Sequence, residues 1–258
     1  MPYDYEGFKK EILRLTKIDL NAYKERQMKR RIDSLIAKNG YKGYDEYVRE
    51  IQKKGKLFEE FVNYLTINVS EFYRNPVQWT VLEKEIVPYL REESPNTLKI
   101  WSAACSTGDE PYSLAMMLSR IFPLNKIHIT ATDIDKQVLE KARVGLYNEK
   151  SLAGLPKEFV SKYFEKIGSS YKICDDIKRC VEFKQHNLLK DTYPSNMDLI
   201  VCRNVLIYFT EEAKEEIYKK FHNALRKGGI LFVGSTEQMI QYRQLNYASM
   251  KSFFYKKL

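Results

Sequence analysis

The sequence predicts an α/β fold with a doubly wound parallel sheet, preceded by a small all-α region. Three observations point there. Residues 1–70 place apolar residues only at helical spacing. From residue 98 onward, short apolar runs alternate with helical patterns, which builds a parallel sheet flanked by helices. The first two runs open into small and acidic residues, the character of a ligand-binding crevice at strand C-termini.

In the first part, Tyr5 to Leu15 aligns Phe8, Ile12 and Leu15 on one face. Asn21 to Lys38 carries Met28, Ile32, Leu35 and Ile36 as a stripe at i, i+4, i+7 and i+8, and Asn39-Gly40 stops that helix. Further helices are predicted at about 44–53, 57–65 and 77–90. The cluster Ser94-Pro95-Asn96 then marks a boundary. The domain reading is therefore 1–75 helical, 76–96 a linker helix, and 97–258 the α/β domain.

In that domain, strands are predicted at about 98–104, 127–132, 181–185, 197–202 and 229–234, with helices at about 111–121, 135–142 and 211–225. Residues 145–180 interrupt the alternation with turn residues and a hairpin-like run at Tyr171, so a small inserted subdomain is expected. Tyr247 to Tyr255 fits a final antiparallel strand.

Composition narrows the function classes. The 258 residues are 44% hydrophobic, enough for a sizeable core, and no apolar run reaches the roughly 18–20 residues of a spanning helix. The N-terminus lacks a cationic start followed by an apolar stretch, so the expectation is a soluble cytoplasmic protein. Cys105, Cys174, Cys180 and Cys202 show no metal-site spacing, and His128, His186 and His222 are dispersed. No metal and no Cys/His chemistry is expected. A net charge of +9 favours an anionic partner without choosing among nucleic acid, membrane and acidic protein.

The loop Ala103-Ala-Cys-Ser-Thr-Gly108 has one glycine where a dinucleotide fingerprint has three. That argues against a pyrophosphate and for a nucleoside cofactor without phosphate, such as S-adenosyl-L-methionine. Glu110 then suits a cationic amino group, and Asp133 sits where a carboxylate grips a ribose diol. Asn187-Leu188 follows the 181–185 strand, where adenine would lie, although Asn there also reads as a turn residue. Asp198 to Phe209 is a strand leading into polar residues, with Tyr208 read equally as core filler. The string Thr66 to Pro76, ending in Arg74-Asn-Pro, has the character of a lid over the site.

Trp101-Ser-Ala-Ala-Cys-Ser-Thr-Gly-Asp-Glu-Pro-Tyr-Ser resembles the first motif of the CheR-type chemotaxis methyltransferases. Asn68-Val-Ser-Glu-Phe-Tyr-Arg74, Ala131-Thr-Asp-Ile-Asp135, Cys202-Arg-Asn-Val-Leu-Ile-Tyr-Phe209 and Gly234-Ser-Thr-Glu237 match further motifs in order. Ser70 stands where many relatives have Thr, and Asp109 where Glu is common. The resemblance implies a Rossmann-like S-adenosylmethionine-dependent methyltransferase sheet, an N-terminal all-α receptor-docking domain and an inserted β-subdomain. It implies methylation of glutamate side chains on methyl-accepting chemotaxis receptors, with S-adenosyl-L-homocysteine as product. The cofactor set it implies is Asn68, Ser70, Arg74, Ala103, Glu110, Asp133, Asn187, Leu188, Asn204 and Val205.

Because a glutamate is already ionised at neutral pH, no general base is required, and alignment must carry the rate. Arg74 and Tyr208 are the candidates for positioning the acceptor. Lys24, Arg30, Arg31 and Lys38 lie off the apolar stripe of their helix, a basic face expected to dock a Glu-rich receptor bundle. The expected protein is a monomer recruited to membrane receptor arrays, without membrane insertion or nucleic acid. The competing readings are a nucleic-acid methyltransferase and a non-catalytic cofactor-binding adaptor. Arg203-Asn-Val-Leu206 stands where base-amine methyltransferases commonly carry an Asn/Asp-Pro-Pro-aromatic tetrapeptide.

Overall fold

The structure, a computed structural model, describes residues 4–68 and 70–258. Two compact units emerge: Met1–Asn68 with Ile207–Glu216, and Val69–Leu206 with Ile217–Leu258.

The first unit holds α1 (Tyr5–Thr16), α2 (Glu25–Lys38), α3 (Tyr44–Ile51) and α4 (Lys56–Thr66). The Asp4 carboxylate caps α1 by accepting from the Gly7 amide, which fixes where that helix starts. The stripe read from the sequence is the core here: Phe8, Ile12, Met28, Ile32, Leu35 and Ile36 are buried with Tyr47, Val48, Ile51, Phe61 and Leu65. A distant segment completes the unit. Tyr23 and Phe209 form an antiparallel bridge with rings 4.7 Å apart, and the Lys24 amide donates to the Tyr208 carbonyl at 2.9 Å.

The second unit contains a seven-stranded sheet. Its strands are β1 (Lys99–Ser102), β2 (His128–Asp133), β6 (Val181–Gln185), β7 (Met197–Cys202), β8 (Leu225–Val233), β9 (Tyr247–Lys251) and β10 (Phe254–Lys257), in the order β6-β2-β1-β7-β8-β10-β9. The first five pair in parallel, and β10 pairs antiparallel to both β8 and β9. β7 is buried at every position, Asp198 included, as the apolar run Leu199–Cys202 requires of a central strand. From β1 the chain first winds outward through β2 and β6, then returns to the other side of β1 at β7. That reversal makes the C-terminal ends of β1 and β7 the crevice of the sheet.

Helices α7 (Asp109–Leu118), α8 (Lys136–Val144) and α11 (Glu211–Ala224) are the three the alternation predicts. The long helix before β1 runs as α5 (Pro76–Val81), a π-helical turn (Leu82–Ile86) and α6 (Val87–Glu93). Residues 70–75, read from sequence with the helical region, and this helix fall in the second unit, because Phe72, Tyr73 and Trp79 are buried in its core. The 145–180 region is a three-stranded antiparallel sheet in the order β3 (Leu146–Asn148), β5 (Ser170–Ile173), β4 (Phe164–Ile167), with α9 (Lys157–Tyr163) and α10 (Asp175–Lys178). The single terminal strand expected over 247–255 is a hairpin instead. Its turn, Ser252-Phe253, has no glycine; Phe253 itself takes the left-handed conformation at φ 72°.

Candidate active site

Beyond β1 the loop is stitched to both neighbouring strands. The Ala103 amide donates to the Val201 carbonyl at 2.8 Å, and the Cys105 amide to Thr132 at 2.9 Å. Gly108 closes the turn at φ 89°, where a Cβ would lie 3.0 Å from both Ala142 and the Tyr112 ring. Both conformation and space therefore require glycine there.

Two carboxylates converge on this end of the sheet. Glu110, on the first turn of α7, accepts from Ser102 Oγ at 2.9 Å, and Arg203 Nη1 lies 3.5 Å from its other oxygen. Burial pushes its carboxyl up, while Arg203 and Ser102 pull it back towards the charged form. Asp133, the last residue of β2, accepts the amides of Ser106 at 2.8 Å and Asp135 at 3.0 Å. Burial pushes Asp133 up to about 6 despite those amides. Asp109 is also buried and raised by burial, countered by the hydroxyls of Thr107 and Ser70.

A crevice lined by buried acids repels a pyrophosphate and favours a ligand bearing cationic groups and hydroxyl donors. S-adenosylmethionine has that character, with an ammonium, a sulfonium and a ribose diol. The Ser106 hydroxyl is a further buried polar atom beside this acid cluster, with no hydrogen-bond partner among the described residues. The donor set thus fits the cofactor. The thiols of Cys105 and Cys202 are fully buried and held well above their ordinary range, so they stay neutral and unsuited to nucleophilic attack.

Glu237 organises the facing side. Its carboxylate accepts the amides of Asn204 at 2.6 Å, Leu206 at 2.6 Å and Gly234 at 2.9 Å, tying the ends of β7 and β8 together. Asn204 is held at φ 60°, a conformation Asn tolerates better than most residues. Neither Glu237 nor Arg203 was assigned a role from sequence. For Arg203 the available signal was a charged residue directly after the apolar run Leu199–Cys202, which burial obliges to find partners.

Other anticipated residues are placed as follows. In the second unit, the Arg74 side chain lies 3.8 Å from Glu71, and its carbonyl accepts from Arg203 and Trp79. Asn187 Oδ1 accepts the Leu189 amide, which is the turn role read beside the adenine role. Leu188 is buried, and Val205 is half-buried beside Asn204. In the first unit, Asn68 Nδ2 donates to Thr66 Oγ1 at 2.9 Å. A groove of about 220 Å³ there brings Lys24, Arg30 and Arg31 together with Tyr208, Gln27, Met28 and Ile67. Lys38 is outside it and pairs with Glu60 at 3.0 Å. Arg31 is partly committed inward: it donates to the Tyr64 carbonyl at 2.7 Å and stacks over that ring at 4.5 Å.

Sheet order, loop and acid pair together define the class: a doubly wound methyltransferase domain that binds S-adenosylmethionine. The family description "CheR methyltransferase, SAM binding domain" matches residues 68–254, and "CheR methyltransferase, all-alpha domain" matches 3–66. The chain belongs to the CheR methyltransferase family. It is 42% identical over 254 residues to a chemotaxis protein methyltransferase of Listeria innocua, covering 98% of this chain and 97% of that one. A Listeria monocytogenes protein of the same name matches with the same identity and coverage. A third of that name, from Borreliella burgdorferi, is 33% identical over 93% of this chain and 92% of its own length.

Proposed function

We propose that this protein transfers the methyl group of S-adenosyl-L-methionine to glutamate side chains of chemoreceptors, giving glutamyl methyl esters and S-adenosyl-L-homocysteine. The observation that carries the reading is that similarity to chemotaxis methyltransferases runs across both units, not the cofactor-binding one alone.

The cofactor, when bound, supplies a methyl group made electrophilic by its sulfonium. Glu110 is assigned to the methionyl ammonium and Asp133 to the ribose hydroxyls. Asn187 and Leu188 are assigned to adenine, with Ala103, Asn204 and Val205 along the body of the cofactor. Asn68, Ser70 and Arg74 belong to the lid segment. The acceptor carboxylate needs no base, since its ordinary pKa of about 4.3 leaves it ionised. Its difficulty is weak nucleophilicity and the loss of its water shell, so orientation must lower the barrier. Arg74 in the second unit and Tyr208 in the first are proposed to orient it, each to be tested separately.

The test is transfer of tritiated methyl from S-adenosylmethionine to receptor-bearing membranes, with RNA and DNA as competing acceptors. Label on receptor protein alone is expected. Label on nucleic acid would replace this reading, and tight cofactor binding without any transfer would leave an adaptor.

A further inference from the structure

One guanidinium joins three parts of the second unit. Arg203 follows β7 directly and is 6% exposed. Its Nη1 faces Glu110 at 3.5 Å, and its Nη2 donates to the Arg74 carbonyl at 2.8 Å and to Gln78 Oε1 at 3.0 Å. The Phe232 ring lies 4.8 Å from its centre and Trp79 5.8 Å, so apolar and aromatic walls hold the plane. A buried guanidinium requires this much partnership, and removing it leaves a buried acid without its counter-charge.

We infer that Arg203 is a positioning residue for cofactor binding: it sets a counter-charge against Glu110 and ties that acid to the 70–78 segment. The inference rests on the assignment of Glu110 to the methionyl ammonium. An ionised Glu110 attracts that ammonium, whereas a protonated one offers a neutral hydrogen-bonding group. The 70–78 segment carries Ser70 and Arg74, so the same fork fixes the lid residues relative to the acid. Lysine retains the charge without the planar fork that reaches several acceptors.

The titratable groups around Glu110 come from every neighbouring element. Arg203 follows β7 and Glu237 follows β8, while Cys105 and Cys202 come from the ends of β1 and β7. Arg74 acts on Arg203 from the 70–78 segment. Apart from Arg203 and Arg74, these groups carry negative charge when ionised or none, so Arg203 is the near counter-charge that favours the carboxylate. Asp133 also titrates in the cofactor site, and the Glu110→Gln background separates its contribution.

The experiment is calorimetric binding of S-adenosylhomocysteine, which keeps the ammonium, between about pH 5.5 and 8.5. The proteins are wild type, E110Q, R203Q, R203K and E110Q/R203Q, each checked for folding by its melting curve. Glu110's share of the acid limb is the difference between each protein and its E110Q counterpart. In R203Q that limb is expected to move to higher pH, so that binding is several-fold weaker on the acid side and recovers in alkali. R203K should leave the limb near the wild-type position while binding about threefold more weakly at every pH. A uniform loss in R203Q, or none, would overturn the inference. If R203Q does not fold, R203K decides, and binding indistinguishable from wild type would overturn it. Failure of the wild type to bind at all would instead sink the cofactor assignment.

Discussion

Asp133 is costly to ionise in the cofactor-free protein, and the sign of that cost gives a test. Its folded pKa, about 6, stands above the ordinary 3.8. The stability contributed by the neutral acid is therefore fully present below about 3.8 and is lost as pH rises through about 6. Asp133→Asn keeps a neutral group at all pH. Its unfolding free energy should match wild type near pH 4 and exceed it near pH 8, by about 1–2 kcal/mol once a lost amide acceptor is counted. Cofactor affinity should fall in the same variant. Thermal melts across that range check it, and a stability difference independent of pH would contradict it. Asp133 was legible from sequence because it closes an apolar run, and Glu110 because it follows the small-residue loop after the first strand. Arg203 and Glu237 were not, because a buried charge is stabilised by partners tens of residues away, which local patterns do not contain.

At the scale of elements, the ends of β7 and β8 depend on one carboxylate. A Cβ at Gly234 would lie 2.4 Å from Glu237 Oε2 and 2.9 Å from the Asn204 amide. Gly234→Ala must therefore displace the carboxylate that gathers three amides. The expected loss is about 2–3 kcal/mol by denaturant titration, with weaker cofactor binding through Asn204 and Val205. An unchanged midpoint would show that the carboxylate is not holding the strand ends. The central strands were readable because burial on both faces leaves continuous apolar runs. The β9–β10 turn was not, since Ser252-Phe253 lacks the glycine or asparagine that usually marks a hairpin. The return of 207–216 to the helical unit was equally hidden, because its bridge to Tyr23 joins segments far apart in sequence.

For the whole molecule, three of the 43 basic residues, Lys24, Arg30 and Arg31, line one groove of the first unit. Arg30 is exposed there, whereas Arg31 is engaged with Tyr64. Arg30→Glu is accordingly the cleaner probe of docking. The receptor KM should rise about threefold to tenfold at low ionic strength and approach wild type at high salt, with kcat little changed. Equal kinetics at low salt would remove this groove from the docking surface. Reversing Arg31 as well should also lower stability, by unpairing the Tyr64 carbonyl.

The central claim is that the methyl group ends on a carboxylate, and an ester identifies itself by its lability. Receptor protein labelled with tritiated methyl should release that label as volatile methanol in mild alkali. Label that survives alkali on the protein, as a methylated amine or thioether would, contradicts the account.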